Sequence, residues 1–325
     1  MKLTQEKLEK IGIFRALHLG DLLCAIPAIR NIRRAYPNAT LYFISLPDAA
    51  PLIRRFSAYV DEFIPFPGYP GLPEQSFEEE SFDCFLSKIR KINFDLILQM
   101  QGDGTIVNHM MRSFNSRYLA GFCKQRSAEN ELFLTYPNHG HEIHRHLSLI
   151  RHLGLPSDGD ELEFPISKAD YEHFEQLNLP LKPGKYICIH PGSRGNWRQW
   201  PPLYFAAIGN YCTDLGYQVV LTGTKQELEL IGHVALLMKT KPIITAGRTT
   251  LGALAVLISR TRALIANCTG VSHLAAALKT PSVIISMDGE PHRWAPLNKE
   301  LHRTIDWTTT PDFQLVHKEV AALLA

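Results

Sequence analysis

The sequence predicts an α/β protein with two doubly wound, Rossmann-like domains that face each other across a cleft. Short strand-like runs alternate with amphipathic helical segments, which is the pattern of βαβ units and a parallel sheet. The alternation weakens between residues 161 and 185, where prolines accumulate, and then restarts. The chain has 325 residues, of which 45% are hydrophobic, and is therefore long enough to form two cores.

The first half is predicted to contain four strands, at residues 12–17, 40–46, 62–66 and 95–100. Helical patterns at 22–36 and 77–92 lie between them, and Pro27 is expected to kink the first helix. Segment 66–73 is rich in proline and glycine and is predicted to be a mobile loop at the rim of the domain.

The second half repeats the same order of elements. Its predicted strands are 186–190, 218–222, 242–246, 263–267 and 282–287, and its predicted helices are 202–215, 226–238, 251–260 and 271–278. We place the linker within 161–185 and the domains at 1–165 and 166–325. A C-terminal helix could pack back on the first domain.

Charge and cysteine usage restrict the function classes. The 34 basic and 32 acidic residues give a formal charge of +2, which does not favour nucleic acid as the main partner. Six cysteines without a Cys-x-x-Cys pair fit reduced thiols in a cytosolic protein. Apolar stretches are much shorter than the roughly 20 residues that span a bilayer. We therefore expect a cytoplasmic protein, and peripheral contact with the inner face of the cytoplasmic membrane remains open.

Two strand-to-helix turns are predicted at the carboxyl ends of strands. In residues 264–281 the turn contains Thr269 and Gly270, and helix N-terminal amides at such a turn can bind phosphate. In residues 12–27 the turn instead contains Asp21, which could act as a base. Asp21 could also be the N-cap of the following helix, and both roles are compatible.

Two further turns in the second half could contribute to an anion or nucleotide site. The loop after the strand at 186–190 contains Ser193, Arg194 and Arg198, and arginine can bind two oxygens of a diphosphate at once. A solvated loop anchored by its tryptophans is the alternative. Glu227 lies in the first turn of the next helix, where it could bind ribose hydroxyls or only complement the helix dipole.

Five collinear motifs extend over nearly the whole chain. They are Gly20-Asp21 with Pro27, Phe94-Asp95-Leu96 with Gln101-Gly102, His190-Pro-Gly with Arg198-Gln-Trp-Pro, Gly223 with Glu227, and Thr269-Gly-Val-Ser-His with Pro281. Together they resemble glycosyltransferase family 9, the lipopolysaccharide heptosyltransferases. The resemblance implies a GT-B fold, with an N-terminal domain that binds the acceptor and a C-terminal domain that binds a nucleotide-activated sugar.

The resemblance also implies the chemistry. It implies metal-independent, inverting transfer of a sugar, usually heptose from ADP-heptose, to the lipopolysaccharide core, with the donor as a substrate and no cofactor. Asp21 would be the base, and Arg198 would contact the diphosphate. Glu227 would hold the ribose or adenine, and Thr249 would lie near the base. The full predicted donor set is Ser193, Arg194, Arg198, Glu227, Thr249, Cys268, Thr269, Gly270 and His273.

Cys268 departs from the family pattern, which usually has aspartate at this position. A thiol cannot accept two hydrogen bonds from sugar hydroxyls as a carboxylate can. Either the donor sugar differs, or Asp288 or Glu290 substitutes, or activity has been lost. The alternatives are thus a GT-B transferase with another nucleotide sugar and a non-catalytic, nucleotide-sugar-binding relic. A dehydrogenase is disfavoured because no Gly-x-Gly-x-x-Gly follows the first strand.

The acceptor is expected to be a lipid-linked saccharide, and its predicted binding residues are Gly20, Gln101, Asp103, Arg112, Arg117 and His144. The histidine-rich segment 138–146 could suggest a metal site. On a helix, however, only His141 and His144 would share a face, and no further ligand is evident. We therefore predict no metal site.

Overall fold

The computed structural model describes residues 3–125 and 131–325. The chain divides into two compact units, Met1–Glu161 and Leu162–Ala325. The division falls after residue 161, whereas the sequence placed it after residue 165. The stretch predicted as a linker contains helix Lys168–Glu175, which packs in the second unit against the helix at 251–259. The assignment of acceptor and donor binding to the two halves stays a prediction.

The first unit contains a parallel sheet that, in its described residues, has the order β3-β2-β1-β4-β5-β6. Its strands are β1 (Lys10–Phe14), β2 (Thr40–Ser45), β3 (Glu62–Pro65), β4 (Leu96–Gln99), β5 (Tyr118–Cys123) and β6 (Phe133–Thr135). Its helices are α1 (Leu19–Ala35), α2 (Ala50–Ile53), α3 (Glu79–Ile92), α4 (Val107–Met111) and α5 (Glu142–His152).

The second unit has the same topology. Its parallel sheet has the order β12-β11-β10-β7-β8-β9. The strands are β7 (Tyr186–His190), β8 (Gln218–Leu221), β9 (Ile243–Ile244), β10 (Ala263–Asn267), β11 (Ser282–Ser286) and β12 (His302–Asp306). The helices are α6 (Lys168–Glu175), α7 (Pro202–Asp214), α8 (Leu228–Leu237), α9 (Leu251–Ser259), α10 (Gly270–Ala277), α11 (Pro291–Trp294) and α12 (Phe313–Leu324). The predicted α/β class with two doubly wound sheets is confirmed.

Each sheet reverses its strand order once, between β1 and β4 in the first unit and between β7 and β10 in the second. Ligands of open α/β sheets bind outside the carboxyl ends of the strands at such a switch point. The segments that directly follow these four strands contain Asp21, Gln101, Arg198 and Thr269. Topology thus brings most of the predicted site residues to the expected edge of each sheet.

Apolar side chains hold these edges in place. Helix α3 buries Phe82, Phe85 and Ile89, spaced as one helical face, against the first sheet. In the second unit, Trp200 is completely buried, and its ring packs edge-to-face against Phe205 and Trp307. Trp200 directly follows the loop predicted to bind phosphate, so this loop is anchored in the core.

Helix α1 begins at Leu19, three residues before the predicted start, and continues through Pro27. His18 occupies the N-cap position, and Asp21 is the third residue of the helix. The interpretation of Asp21 as an N-cap is therefore wrong. The segment 66–73 begins with the buried side chain of Phe66, whose ring contacts Phe14 and Phe85.

Candidate active site

Asp21 lies in the first turn of α1, directly after the loop that leaves β1, and its side chain is 28% exposed. Beneath it lies Arg15, which is only 1% exposed. The Arg15 Nε donates to the backbone oxygen of Asp21 at 2.8 Å, and its Nη1 donates to the backbone oxygen of Met100 after β4. Arg15 therefore joins the two loops of the first switch point.

The third Arg15 nitrogen faces two carboxylates. Nη2 donates to Oε1 of Glu142 at 3.1 Å and lies 3.6 Å from Oδ1 of Asp21. Glu142 is 2% exposed and begins α5. A buried carboxylate compensates a buried guanidinium, which would otherwise be strongly destabilising. Sequence reasoning assigned no role to Arg15 and considered Glu142 only as a metal ligand; a charged residue directly after an apolar strand was the available signal.

His146 lies next to this ion pair, with its Nε2 3.4 Å from Oε1 of Glu142. Burial, followed by the nearby Arg15 charge, lowers the pKa of His146 to about 4. The imidazole is therefore neutral at pH 7. His146 is completely buried, and its ring packs against that of Phe122, so it is part of the core of the first unit.

Gln101 supports the loop that precedes Asp21. Its Oε1 accepts from the backbone N–H of Ala16 at 2.7 Å, and the side chain is 7% exposed. The Gln101 carbonyl in turn accepts from Nε2 of Gln99. The side-chain oxygen of Gln101, a residue predicted to contact the acceptor sugar, is thus already bonded to the loop before Asp21.

The other predicted acceptor residues are not gathered at one place. Gly20 lies beside Asp21, and Asp103 lies in the loop after β4 with its Oδ1 accepting from Thr105 N. Arg112 is exposed at the end of α4. Arg117 precedes β5, at the opposite edge of the sheet from Asp21, and its Nη2 lies 2.8 Å from Oε2 of Glu6. His144 is exposed on α5, with its Nε2 2.8 Å from Oδ2 of Asp160.

In the second unit, Asn267 joins the loops of the switch point. This last residue of β10 is completely buried. Its Nδ2 donates to the Pro191 oxygen at 2.6 Å, and its Oδ1 accepts from Trp200 N at 3.0 Å. Asn267 thus fixes both ends of the loop 191–200 beside the start of α10. Sequence reasoning missed it, although a polar residue at the end of an apolar strand is a recognisable signal.

Polar groups without partners collect at these two loops. Among the buried side-chain atoms of the described residues, Ser193 Oγ, Arg198 Nε and Thr269 Oγ1 have no hydrogen-bond partner. Thr269 is the N-cap of α10, yet its side chain does not cap the helix. Buried polar groups are normally satisfied, so such a group needs an explanation. An anion at the N-terminus of α10 would accept hydrogen bonds from these donors.

Arg198, Cys268 and Asp288 are neighbours. Nη2 of Arg198 lies 3.6 Å from Oδ2 of Asp288, whose carboxylate is 4% exposed. The buried Cys268 thiol lies 3.7 Å from the backbone oxygen of Trp294. Burial and then the charge of Asp288 raise the pKa of Cys268 to about 12, so the thiol is protonated at pH 7. Asp288 oxygens therefore lie near the position where the thiol replaces the carboxylate expected from the resemblance.

Glu227 ends a short 3-10 turn and forms a capping box. Its Oε2 accepts from the backbone N–H of Thr224 at 2.7 Å and from the Thr224 hydroxyl at 2.9 Å. The carboxylate lies directly above Gly192, where an added Cβ would come within 2.1 Å of Oε1. Glu227 thus caps the turn and also lies over the loop after β7. Thr249 is half-buried in the loop before α9.

The remaining donor candidates lie around the same edge. Arg194 is exposed, and Gly270 is the first residue of α10. His273 is buried on α10, and its ring centroid lies 6.1 Å from that of Trp294. Within the described residues there is no group of three or more histidine, cysteine or acidic residues that could hold a metal ion. No helix in that part of the chain is long and apolar enough to cross a membrane.

The sequence profile of glycosyltransferase family 9 (heptosyltransferase) matches residues 85–320. The chain belongs to this family. The lipopolysaccharide core heptosyltransferase OpsX of Haemophilus influenzae is 23% identical over 305 residues, covering 92% of this chain and 84% of that protein. The family 9 structure from Veillonella parvula superposes with a TM-score of 0.81 at 18% identity, covering 98% of both chains. The Escherichia coli ADP-heptose heptosyltransferase II has a TM-score of 0.77 at 21% identity, covering 97% of this chain and 98% of that one.

These findings confirm the resemblance inferred from the five motifs. The chain has the GT-B fold class of the solved family 9 heptosyltransferases, and it is a glycosyltransferase of the lipopolysaccharide heptosyltransferase family. The roles of the individual site residues stay predictions.

Proposed function

We propose that this family 9 glycosyltransferase transfers heptose from ADP-heptose to a saccharide of the lipopolysaccharide core with inversion at the anomeric carbon. Asp21 accepts the proton of the acceptor hydroxyl while the oxygen of that hydroxyl forms a bond to the anomeric carbon. The bond from the carbon to the diphosphate breaks, and the electron pair leaves with ADP. A relative of the same fold is described as an ADP-heptose heptosyltransferase, which supports the choice of donor.

The observation that supports the donor site most strongly is the set of unsatisfied polar atoms on Ser193, Arg198 and Thr269. They lie on two loops that Asn267 holds together beside the N-terminus of α10. A diphosphate at this position would accept hydrogen bonds from all of them and from the first amides of the helix. The same donors stabilise the leaving diphosphate, so the proposal requires no divalent metal ion.

The remaining donor residues are assigned around this diphosphate site. Oε1 of Glu227, above Gly192, accepts from ribose hydroxyls while Oε2 caps the turn. Thr249 lies near the adenine. Arg194 adds a second positive charge at the diphosphate. Gly270 and His273 border the phosphate and the sugar.

The proposed acceptor site lies at the first switch point. Gly20, Gln101, Asp103 and His144 are its candidate contacts, with Arg112 as a further cation for an anionic acceptor. Arg117 is left out because it lies at the opposite sheet edge and pairs with Glu6. Because the proposed acceptor is lipid-linked, the proposal includes a cytoplasmic location with peripheral contact at the inner membrane face.

A second candidate function is transfer of a different sugar from a nucleotide donor. The buried, protonated thiol of Cys268 favours it, because a thiol binds sugar hydroxyls more weakly than a carboxylate does. In the first candidate, the Asp288 carboxylate compensates for this loss. Both candidates use the same diphosphate site and the same base.

Release of nucleoside diphosphate from a panel of nucleotide sugars, with and without purified core acceptors, tests the proposal. We expect ADP release from ADP-heptose that depends on the acceptor and is unchanged by a chelator. Acceptor-dependent turnover of another nucleotide sugar alone would favour the second candidate. Absence of turnover with every donor would contradict both.

A further inference from the structure

One buried guanidinium faces two carboxylates in the first unit. Nη2 of Arg15 donates to Glu142 at 3.1 Å, but it lies 3.6 Å from Oδ1 of Asp21. Hydrogen bonds between nitrogen and oxygen usually span about 2.7 to 3.2 Å, so Nη2 bonds to Glu142 and not to the Asp21 carboxylate. The other bonds of Arg15 go to backbone oxygens of Asp21 and Met100 and keep the guanidinium in place.

Glu142 is itself held from its other side. Its Oε2 lies 3.5 Å from the Tyr136 hydroxyl and 3.4 Å from Nη1 of Arg145, so both groups lie just beyond the usual hydrogen-bond range and the Arg145 charge attracts the carboxylate. Arg145 also donates to the Tyr136 hydroxyl at 3.0 Å. Because Glu142 is the first residue of α5, the positive end of the helix dipole also stabilises its charge.

The charged and titratable groups of this region come from four segments. Asp21 and the N-cap His18 belong to the start of α1, and Arg15 follows β1. Glu142, Arg145 and His146 belong to α5, and Tyr136 precedes it. His146 is neutral at pH 7, because burial lowers its pKa to about 4. The two arginines are therefore balanced by the carboxylates of Glu142 and Asp21.

On the basis of the proposed function, we propose that Glu142 is a positioning residue that binds Arg15 and so leaves the Asp21 carboxylate available to take the acceptor proton. A carboxylate in a full ion pair with arginine is a weaker base, because the positive charge stabilises its ionised form. Glu142 prevents this pairing, while the bond from Arg15 Nε to the Asp21 backbone still fixes the turn.

The substitution Glu142→Gln keeps the shape of the side chain and removes its charge. Asp21 then becomes the only carboxylate that faces Arg15 among the described residues, and Nη2 moves to it. We expect kcat to fall about tenfold, and the acidic limb of kcat against pH to move down by about one pH unit, the low end of the effect of a close opposite charge. Glu142→Asp keeps the charge and should restore part of kcat.

Glu161→Gln is the matched control, because Glu161 is an exposed carboxylate near Arg30 in the same unit. It should leave both kcat and the acidic limb unchanged. ADP affinity, measured by calorimetry, should be the same in all of these variants. If Glu142→Gln is folded and the acidic limb of its kcat against pH lies where it does in the native protein, the inference is overturned.

Removal of Glu142 leaves a buried positive charge, so a second variant is needed in case the first unfolds. Arg15→Gln combined with Glu142→Gln removes both charges and leaves Asp21 without a facing guanidinium. Its acidic limb should lie at or above that of the native protein, whereas a shift below the native limb would contradict the inference. If Asp21→Asn retains native turnover, the proposed base itself is wrong. If Asp21→Asn is inactive but the acidic limbs of the Glu142 variants do not move, only the role of Glu142 is wrong.

Discussion

At the residue scale, the proposed donor site depends on a few side chains whose polar atoms lack partners. Arg198 is the clearest example. Its Nε has no hydrogen-bond partner, and its Nη2 lies 3.6 Å from Oδ2 of Asp288, which is too far for a hydrogen bond. The ring of Trp197 lies 4.6 Å from its guanidinium carbon and helps to hold the plane of the group. Arg198 is thus held in place while its Nε remains available to a ligand.

Replacing Arg198 with alanine should weaken ADP binding by about 1.5 to 3 kcal/mol, the range for a hydrogen bond to a charged group. Titration calorimetry with ADP measures the change. Arg303→Ala is the control, since Arg303 lies near the start of β12, at the opposite edge of the second sheet. Equal ADP affinity in the Arg198 variant and the native protein would place the diphosphate elsewhere.

Cys268 provides a test of donor choice. Cys268→Asp introduces a second carboxylate next to the buried Asp288, and two close carboxylates cannot both ionise easily. We expect little gain in ADP-heptose preference from this substitution alone, and a clear gain when Asp288→Asn is added. Competition between ADP-heptose and other nucleotide sugars measures the preference.

If the native protein already uses ADP-heptose best and neither variant improves on it, Cys268 is a neutral replacement. The interpretation of Cys268 as a determinant of the donor would then be wrong.

At the scale of elements, Asn267 connects β10 to the loop that follows β7. Asn267→Asp keeps the acceptor for Trp200 N but places an oxygen against the Pro191 carbonyl. We expect a loss of about 1 to 3 kcal/mol in the free energy of unfolding, because a buried acceptor is left without a donor. ADP binding should weaken as well, since the loop would no longer be fixed.

Urea unfolding and calorimetry measure the two effects of Asn267→Asp. Asn178→Asp is the control, because Asn178 is an exposed residue of the segment between α6 and β7. If Asn267→Asp lowers stability but leaves ADP affinity unchanged, the loop 191–200 does not take part in ADP binding.

The sequence predicted the elements with the strongest hydrophobic patterns. Strand 186–190 and strand 263–267 agree with β7 and β10, because buried parallel strands are continuous apolar runs. Strands β5 and β6 were not predicted. Gly121 interrupts β5, and β6 has three residues, so neither has a run long enough to be distinguished from a loop.

The candidate site was predicted unevenly for a related reason. Thr269 and Arg198 belong to local turn motifs, which a sequence displays directly. The pairing of Arg15 with Glu142 joins residues 127 positions apart, and only the fold brings them together. The same is true of Asn267 and Pro191, which are 76 positions apart.

At the scale of the whole molecule, buried histidines such as His146 and His302 make stability depend on pH. Burial lowers the pKa of both His146 and His302 to about 4, and they lie in different units. An unfolded histidine binds a proton near pH 6.5, whereas these folded ones do not, so the unfolded state holds more protons below that pH. Stability should therefore be complete above pH 6.5 and fall as the pH decreases toward 4, by roughly 3 kcal/mol for each histidine.

Urea midpoints between pH 7 and pH 4 check this dependence. His146→Gln should reduce the slope of stability against pH in that window, because glutamine does not titrate. His144→Gln is the control, since His144 is an exposed histidine of the same helix. An unchanged slope in His146→Gln would mean that this imidazole is not kept neutral in the fold.

The central claim is that the first unit supplies the base and the second unit binds the nucleotide. The most direct test is to measure turnover and ADP affinity together in Asp21→Asn. The amide keeps the size of the side chain but cannot accept the proton, and general base catalysis contributes about 10² to 10⁴ in rate. We predict that turnover falls by about a hundredfold or more while ADP affinity is unchanged. Near-native turnover in this variant would contradict the account.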